Sequence, residues 1–374
     1  MKSISDLTPY ARAVIEEKTK GLLYRAGVLD AVTAKIEARQ NVFRHASLLD
    51  LAKESAKAAG VNVSGMSPPE VVAAAFFQSS SDFPVLLENV LHKSMQVGYA
   101  KRAFSWRSFC RVVDLADFRD HRTVRIGSIG NLDKKNELGE FKYKSLPDGE
   151  SDTLRAGTKG NIIRISRETI VNDSLLALTA AAEQLGEAAA RTIEADVFAL
   201  LAMNGGNGPI IDDGLPLFHA NHKNIVSPAA APSVPSFRAA RSAFKAQTEP
   251  GTTDSWIDLE PASWLGPVLL EGEARIVNDS EFDTEPSNVI GRLNEVRNMF
   301  RQVIGTPRLY GTRWYAFADP AICAALQVGF IGGNESPSVL MQESFDCDGM
   351  QARVILDFGV AGADPRGAIT NPGA

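Results

Sequence analysis

The chain has 374 residues, more than one hydrophobic core usually serves, so two domains, or one domain with large extensions, are expected. Apolar residues make up 44% and charged residues 22%, which excludes large-scale disorder, and the net charge of −6 argues against a protein that wraps nucleic acid through clustered cations. Cys110, Cys323 and Cys347 are far apart and form no CxxC pair, so a disulfide framework or a structural zinc cluster is not expected.

The opening MKSISDLTPYARAVIEEKTK lacks the apolar core of a signal peptide, and no run nears the roughly 18 apolar residues of a membrane span, so a cytoplasmic protein is expected. Residues 1 to about 62 read as helical, with Thr8 and Pro9 as cap and first turn. Large apolar residues are few there, so this part is expected to pack on something else. Ser67-Pro68-Pro69-Glu70 opens a short helix through Phe77 with Ser67 as cap. SSSDFP is a linker, and VLLENVLHKSMQVGYA is an apolar helix ending near Gly98.

From Phe109 the pattern changes. FCRVVDLADFRDHRTVRIG predicts strand, turn and strand; FKYKSL and NIIRISRETIV each alternate as two-faced strands do. Together with the polar, glycine-rich stretch between them they predict an extended β-hairpin, the alternative on composition being a disordered surface loop. Then comes the clearest helix, capped by Asn172 or Asp173 and closed by Asn204-Gly205-Gly206. Leu178, Ala182, Leu185, Ala189, Ile193, Val197 and Leu200 form its apolar stripe. At 1.5 Å per residue, roughly 30 residues make a rod about 45 Å long. After a low-complexity link, SPAAAPSVPS, a helix is predicted over Phe237–Gln247. Next come a strand and a helix reaching about Ile276, strands around Val303 and over Trp314–Phe317, and a strongly β segment, ARVILDFGVA. The class is α+β.

Possible chemistry centres on FHANHKN, where His219 and His222 follow Asp212 and Asp213. A catalytic zinc needs three protein ligands and an open position. This His-x-x-His pair lies in a loop rather than an HExxH helix, and a turn capped by His and Asn side chains is the reading favoured. No Gly-x-Ser-x-Gly motif occurs: Ser128 in RIGSIGN is one residue short of it. NGGNGP and GGNESP lack the Gly-Lys-Ser/Thr of a phosphate loop. Nothing places Cys110 or Cys347 beside a histidine, and SFDCDGM reads as a turn. No catalytic, cofactor-binding or metal-binding residue is assigned.

Four stretches, in order, carry a family resemblance: SSSDFPVLLENVLHKSMQVGYA, FKYKSLPDGE with its GNIIRISRETIVND return, GLPLFHANHKN, and FGVAGADPRGAITNPGA. The chain resembles the major capsid proteins of tailed phages, in particular the Mu-like major head subunit family, from about Ser79 onward. The resemblance implies the Hong Kong-type phage capsid fold, with an N-terminal arm, an extended β-hairpin loop, a long spine helix, and peripheral and axial domains. Carried over, 1–105 is the helical arm. Residues 106–171 start the peripheral domain and hold the loop (about 120–165), and 172–209 is the spine helix. Residues 210–335 are mainly axial domain, and 336–374 return strands to the peripheral domain. It implies a structural protein that assembles as pentamers and hexamers into an icosahedral shell around double-stranded DNA. The implied partners are its own copies, and possible others are scaffold, maturation protease, portal and decoration proteins. Assembly is expected in the bacterial host cytoplasm and final residence in the virion. The competing readings are a metal-dependent hydrolase using Asp212, Asp213, His219 and His222, or a head-maturation protease. Lys134, Lys135, Glu137, Glu140, Lys142, Lys144 and Asp148 put both charge signs on the hairpin, for pairing with neighbours or, as the alternative, as a solvated face.

Overall fold

The computed structural model describes residues 9–28, 41–77, 82–102, 104–125, 150–252, 255–283, 291–343 and 349–374. Its elements are helices α1 (Pro9–Arg25), α2 (Leu48–Ala58), α3 (Pro68–Phe77) and α4 (Phe83–Lys101), then strands β1 (Cys110–Leu115), β2 (His121–Arg125), β3 (Glu150–Leu154) and β4 (Gly157–Ser166). Helices α5 (Arg167–Val171), α6 (Leu175–Gly206) and α7 (Val234–Lys245) follow, then β5 (Pro261–Pro267) and α8 (Val268–Asp279). Strands β6 (Gln302–Thr306), β7 (Trp314–Ala318), β8 (Leu326–Ile331), β9 (Ser338–Glu343), β10 (Gly349–Gly362) and β11 (Ala368–Asn371) complete the chain. It is a mixed α+β protein, as expected. Two units form: Met1–Ala103 with Thr158–Thr192 and Asn334–Asp357, and Phe104–Gly157 with Ile193–Gly333 and Phe358–Ala374.

In the first unit, local chemistry sets the helix starts. Ser47 and Asp50 form a capping box at α2, and the Glu70 carboxylate accepts the Ser67 N–H at 2.7 Å ahead of α3. Thr8 lies outside the described residues. The early helices bury Leu22, Leu23, Leu48, Leu51, Leu86 and Leu87 against Ile165, Ile170, Val339, Met341 and Val354. The "something else" they pack on is therefore later parts of the same chain. Strand β10 pairs antiparallel with β9, Met350 opposite Glu343 through Ile355 opposite Ser338. Helices α4 and α6 meet at two glycines: a Cβ on Gly98 would lie 2.1 Å from the Glu183 carbonyl oxygen, and one on Gly186 2.1 Å from that of Met95.

Two expectations are corrected here. Neither Asn172 nor Asp173 caps the long helix, whose first turn begins at the Ser174 carbonyl, acceptor of the Leu178 N–H at 3.1 Å. Asp173, at φ +51°, instead accepts the Leu48 N–H at 2.8 Å and pairs with Arg25 at 2.7 Å. The stretch RETIV is helix α5 rather than strand, because Ser166 accepts the Thr169 N–H and turns the chain into a helical start.

In the second unit, β11, β7, β5 and β6 form a four-stranded sheet in that order, with β5 parallel to β6 and antiparallel to β7. Phe237 and Phe244 of α7 and Leu270, Ala274 and Val277 of α8 pack with Trp264, Trp314 and Ile369 of the sheet. Helix α7 starts at Val234, three residues ahead of the expectation, because Ser233 and Ser236 form a capping box with Pro235 inside the first turn. Strand β8 lies parallel to β1 and antiparallel to Phe358–Gly362 of β10. Strands β2 and β3 pair antiparallel, His121 opposite Leu154 through Arg125 opposite Glu150. The return strand here is β3, which alternation did not mark; NIIRIS lies in β4. FKYKSL, RIGSIGN, SFDCDGM and the charged hairpin residues fall outside the described residues.

Candidate functional site

The loop between α6 and α7 holds the four residues the sequence singled out. Helical dihedrals in α6 stop at Met203, and Asn204, Gly205 and Gly206 take left-handed conformations that turn the chain out of the helix. Ile210 and Pro216 then pair as an antiparallel bridge, leaving Asp212, Asp213 and Gly214 in the turn between them. Gly214 has φ +78°, a conformation that favours glycine. Leu217 and Phe218 turn inward, Phe218 lying 5.3 Å from the Tyr315 ring. Burial pushes the Tyr315 hydroxyl up to about 12, and this hydroxyl donates to the Gly206 carbonyl at 2.9 Å.

FHANHKN is a joint. His219 Nδ1 accepts the Asn221 N–H at 3.2 Å, capping a short 3-10 turn that closes at Lys223 with φ +54°. Asn224 is fully buried. Its amide nitrogen donates to the carbonyls of Leu217 at 2.7 Å and Pro365 at 3.0 Å, and its Oδ1 accepts the His219 N–H at 3.0 Å. Through the backbone, Asn224 accepts the Thr370 N–H at 2.9 Å and Val226 donates to the Thr370 carbonyl at 2.8 Å. The loop is thereby stitched to the segment holding β11.

The titratable groups are consumed in the same work. His222 Nε2 lies 2.6 Å from Asp213 Oδ2, and Nδ1 lies 3.1 Å from the Leu217 carbonyl. Both ring nitrogens of His222 thus face oxygens of the same loop. Burial works against the Asp213 carboxylate, but hydrogen bonds from His222 and the Leu215 N–H, with the nearby His222 and His219 charges, hold its pKa below the usual range. Asp212 accepts the Ser151 hydroxyl of β3. Asp212, Asp213 and His222 line a cavity of about 260 Å³ with Glu150, Ser151, Asp152, Ile211, Pro365 and Arg366. The cation of this cavity is Arg366, whose guanidinium contacts both Glu150 oxygens at 2.8 and 2.9 Å and Asp364 at 3.2 Å. Burial opposes its charge, but these carboxylates hold its pKa well above the ordinary arginine range. His219 does not line the cavity. The four residues thus sit in one loop without converging on one point. Among the described residues no group of three or more His, Cys, Asp or Glu side chains could hold a metal ion. Cys110 is fully buried, and burial pushes its thiol well up, away from nucleophile chemistry.

Asn224 lies in FHANHKN, where His and Asn side chains were expected to cap the turn, whereas Glu150, Asp364 and Arg366 were not singled out by sequence reading. Asp364 and Arg366 lie in FGVAGADPRGAITNPGA, quoted only for the family resemblance, and the Glu150–Arg366 pair joins residues 216 apart.

Residues 150–371 match the model of a family described as phage capsid protein, more than half of the chain. The chain belongs to that family. It is a structural protein of a phage capsid, not an enzyme. No curated protein matches the sequence. Likenesses among solved structures include a chain from Mycobacterium phage Adephagia, 14% identical over 71% of this chain and 86% of that one with a TM-score of 0.44. A virus-like particle from Pyrococcus furiosus gives 14% identity over 75% and 96% with a TM-score of 0.43. The capsid of the cyanophage P-SCSP1u gives 10% over 72% and 88% with a TM-score of 0.46.

Proposed function

We propose that the chain is the major head subunit of a tailed, Mu-like phage, assembling as pentamers and hexamers into an icosahedral shell around double-stranded DNA. The observation that carries this is the family match over residues 150–371. The Mu-like assignment rests on the four sequence stretches alone. We assign the Hong Kong-type layout as read above, with 1–105 as arm, about 120–165 as extended loop, 172–209 as spine helix, 210–335 as mainly axial domain and 336–374 as returning strands. Strands β2 and β3 are the described root of that loop.

The physical requirement is that one sequence meets neighbours around both five-fold and six-fold positions. Standard interfaces bury roughly 1,600 Å² each, so several modest contacts per subunit hold a shell. Copies of the chain are its main partners. Scaffold, maturation protease, portal and decoration proteins are further candidates, with assembly in the host cytoplasm before residence in the virion. Negative-stain electron microscopy and sedimentation of the purified chain test the reading. Shells, tubes or discrete pentamers and hexamers are expected. A monomer at high concentration, together with stoichiometric zinc retained after dialysis, would overturn it in favour of the Asp212, Asp213, His219 and His222 hydrolase.

A further inference from the structure

The turn from β6 to β7 reads Arg308-Leu309-Tyr310-Gly311-Thr312-Arg313, an aromatic residue between two arginines. These six residues and the glycine-rich close of α6 line a cavity of about 380 Å³ in the second unit. Among the described residues, the charged side chains that line it are Arg308 and Arg313. Arg313 is partly buried, and its Nη1 donates to two neutral acceptors, Asn207 Oδ1 at 2.7 Å and the Gly206 carbonyl at 3.2 Å. Arg308 lies over the Phe198 ring, 5.7 Å from its centroid, and 3.7 Å from Glu194, beyond hydrogen-bond reach. Glu194 is buried and also accepts the Ser105 hydroxyl. Two guanidiniums thus share one carboxylate, and several of the five N–H groups that each carries have no acceptor among the described residues.

The backbone adds to these donors. No hydrogen bond among the described residues engages the N–H of Tyr310 or Gly311. Gly311 and Gly205 have φ +87° and +70°, and a Cβ on either would meet nothing within 4 Å. The lining is therefore bare backbone at both places, open to close approach by a ligand. Tyr310 is 88% exposed, so its ring has a free face beside the arginines.

Surplus positive charge with N–H groups around it fits an oxyanion. The planar fork of arginine matches two oxygens of one phosphate at once, and two such forks line the same cavity. The cavity is larger than a bare phosphate needs, at about 380 Å³, and an exposed aromatic ring beside it offers a face on which a base can stack. We propose that this pocket binds the phosphate of a nucleotide unit, free or within a DNA strand, with Arg308 and Arg313 on the phosphate and the base stacked on Tyr310. One local site of this kind is compatible with a chain of net charge −6, because it needs two cations in one place rather than a basic face.

Isothermal titration of the full-length chain with inorganic phosphate, deoxyadenosine monophosphate and a short single-stranded oligonucleotide tests this. The wild type is expected to bind the monophosphate more tightly than phosphate. Thr312→Glu sets a carboxylate in the pocket from an exposed position. It is expected to melt as the wild type does and to weaken each bound ligand about tenfold or more. Arg313→Gln is expected to weaken them likewise; because Arg313 also holds the end of α6, Thr312→Glu decides if that variant unfolds. Tyr310→Ala is expected to weaken the monophosphate about fivefold or more and to leave phosphate unchanged. An oligonucleotide that binds and is displaced by the monophosphate identifies a DNA strand as the source; monophosphate binding without it identifies a free nucleotide. Equal affinities in wild type and Thr312→Glu, or no saturable binding of any of the three, would overturn the inference and leave the capsid reading standing. Phosphate bound without the monophosphate, or a monophosphate affinity unchanged in Tyr310→Ala, would overturn the nucleotide assignment.

Discussion

Asn224 carries more of the loop than either histidine beside it. It is fully buried and satisfies two carbonyls and one N–H. Removing its amide strands those groups away from water, at about 1–3 kcal/mol for a buried group left without its partner. Asn224→Ala should therefore lower stability by about 3 kcal/mol, read by denaturant unfolding of the purified chain. Asp213 makes a smaller, pH-dependent contribution. Its folded pKa lies below the unfolded value, so its stabilisation is present at neutral pH and is lost as pH falls through the lowered pKa. Because the side chain is 43% exposed, solvent screening limits the effect to about 1 kcal/mol or less. Asp213→Asn should melt slightly below wild type at pH 7, and the two melting temperatures should converge in acid. Spacing made the Asp and His residues of this loop visible in the sequence. The loop's distant partners were hidden: Ser151 lies 61 residues from Asp212 and Pro365 141 residues from Asn224, distances at which no local pattern survives.

At the scale of elements, periodicity served the long helix best. Leu178, Ala182, Ile193 and Val197 are buried as its stripe required, and the glycine-rich close is where left-handed residues end it. The stripe drifts, so that Ala190 and Leu201 are buried while Ala189 and Leu200 are only partly so. Its start was misplaced because Asp173, a good cap by type, is engaged by Leu48 and Arg25 from another part of the first unit. Alternation failed at RETIV, where one serine cap outweighed the pattern. The glycines where α4 meets α6 give a test opposite in sign to the usual rule. An exposed helical Gly→Ala change gains about 1 kcal/mol, whereas overpacking a closed contact costs about 1–3 kcal/mol. Gly186→Ala and Gly98→Ala should each lower the melting temperature, since the added methyl meets backbone rather than a side chain that can move aside.

For the whole molecule, length left open two domains or one domain with large extensions, and the membership of the two units was not legible, because each is assembled from three separate stretches. The family was legible from four short stretches, three of which lie wholly or partly within the region of the family match. The charges of the expected hairpin belong to this scale, since their proposed partners are other copies. Lys142→Glu with Lys144→Glu should leave the monomer melting as wild type does while impairing shells in sedimentation and electron microscopy; normal shells would reject that role. The interleaving also sets a clock. The core of the first unit needs Met1–Ala103, Thr158–Thr192 and Asn334–Asp357 together. A ribosome adds roughly 5–20 residues per second, so on the order of ten seconds pass between completing the second stretch and starting the third. Through that interval Leu48, Leu51, Leu86 and Leu87 wait for Val339, Met341 and Val354, and a nascent chain carries an unfinished apolar surface that chaperones can bind before any sister copy does.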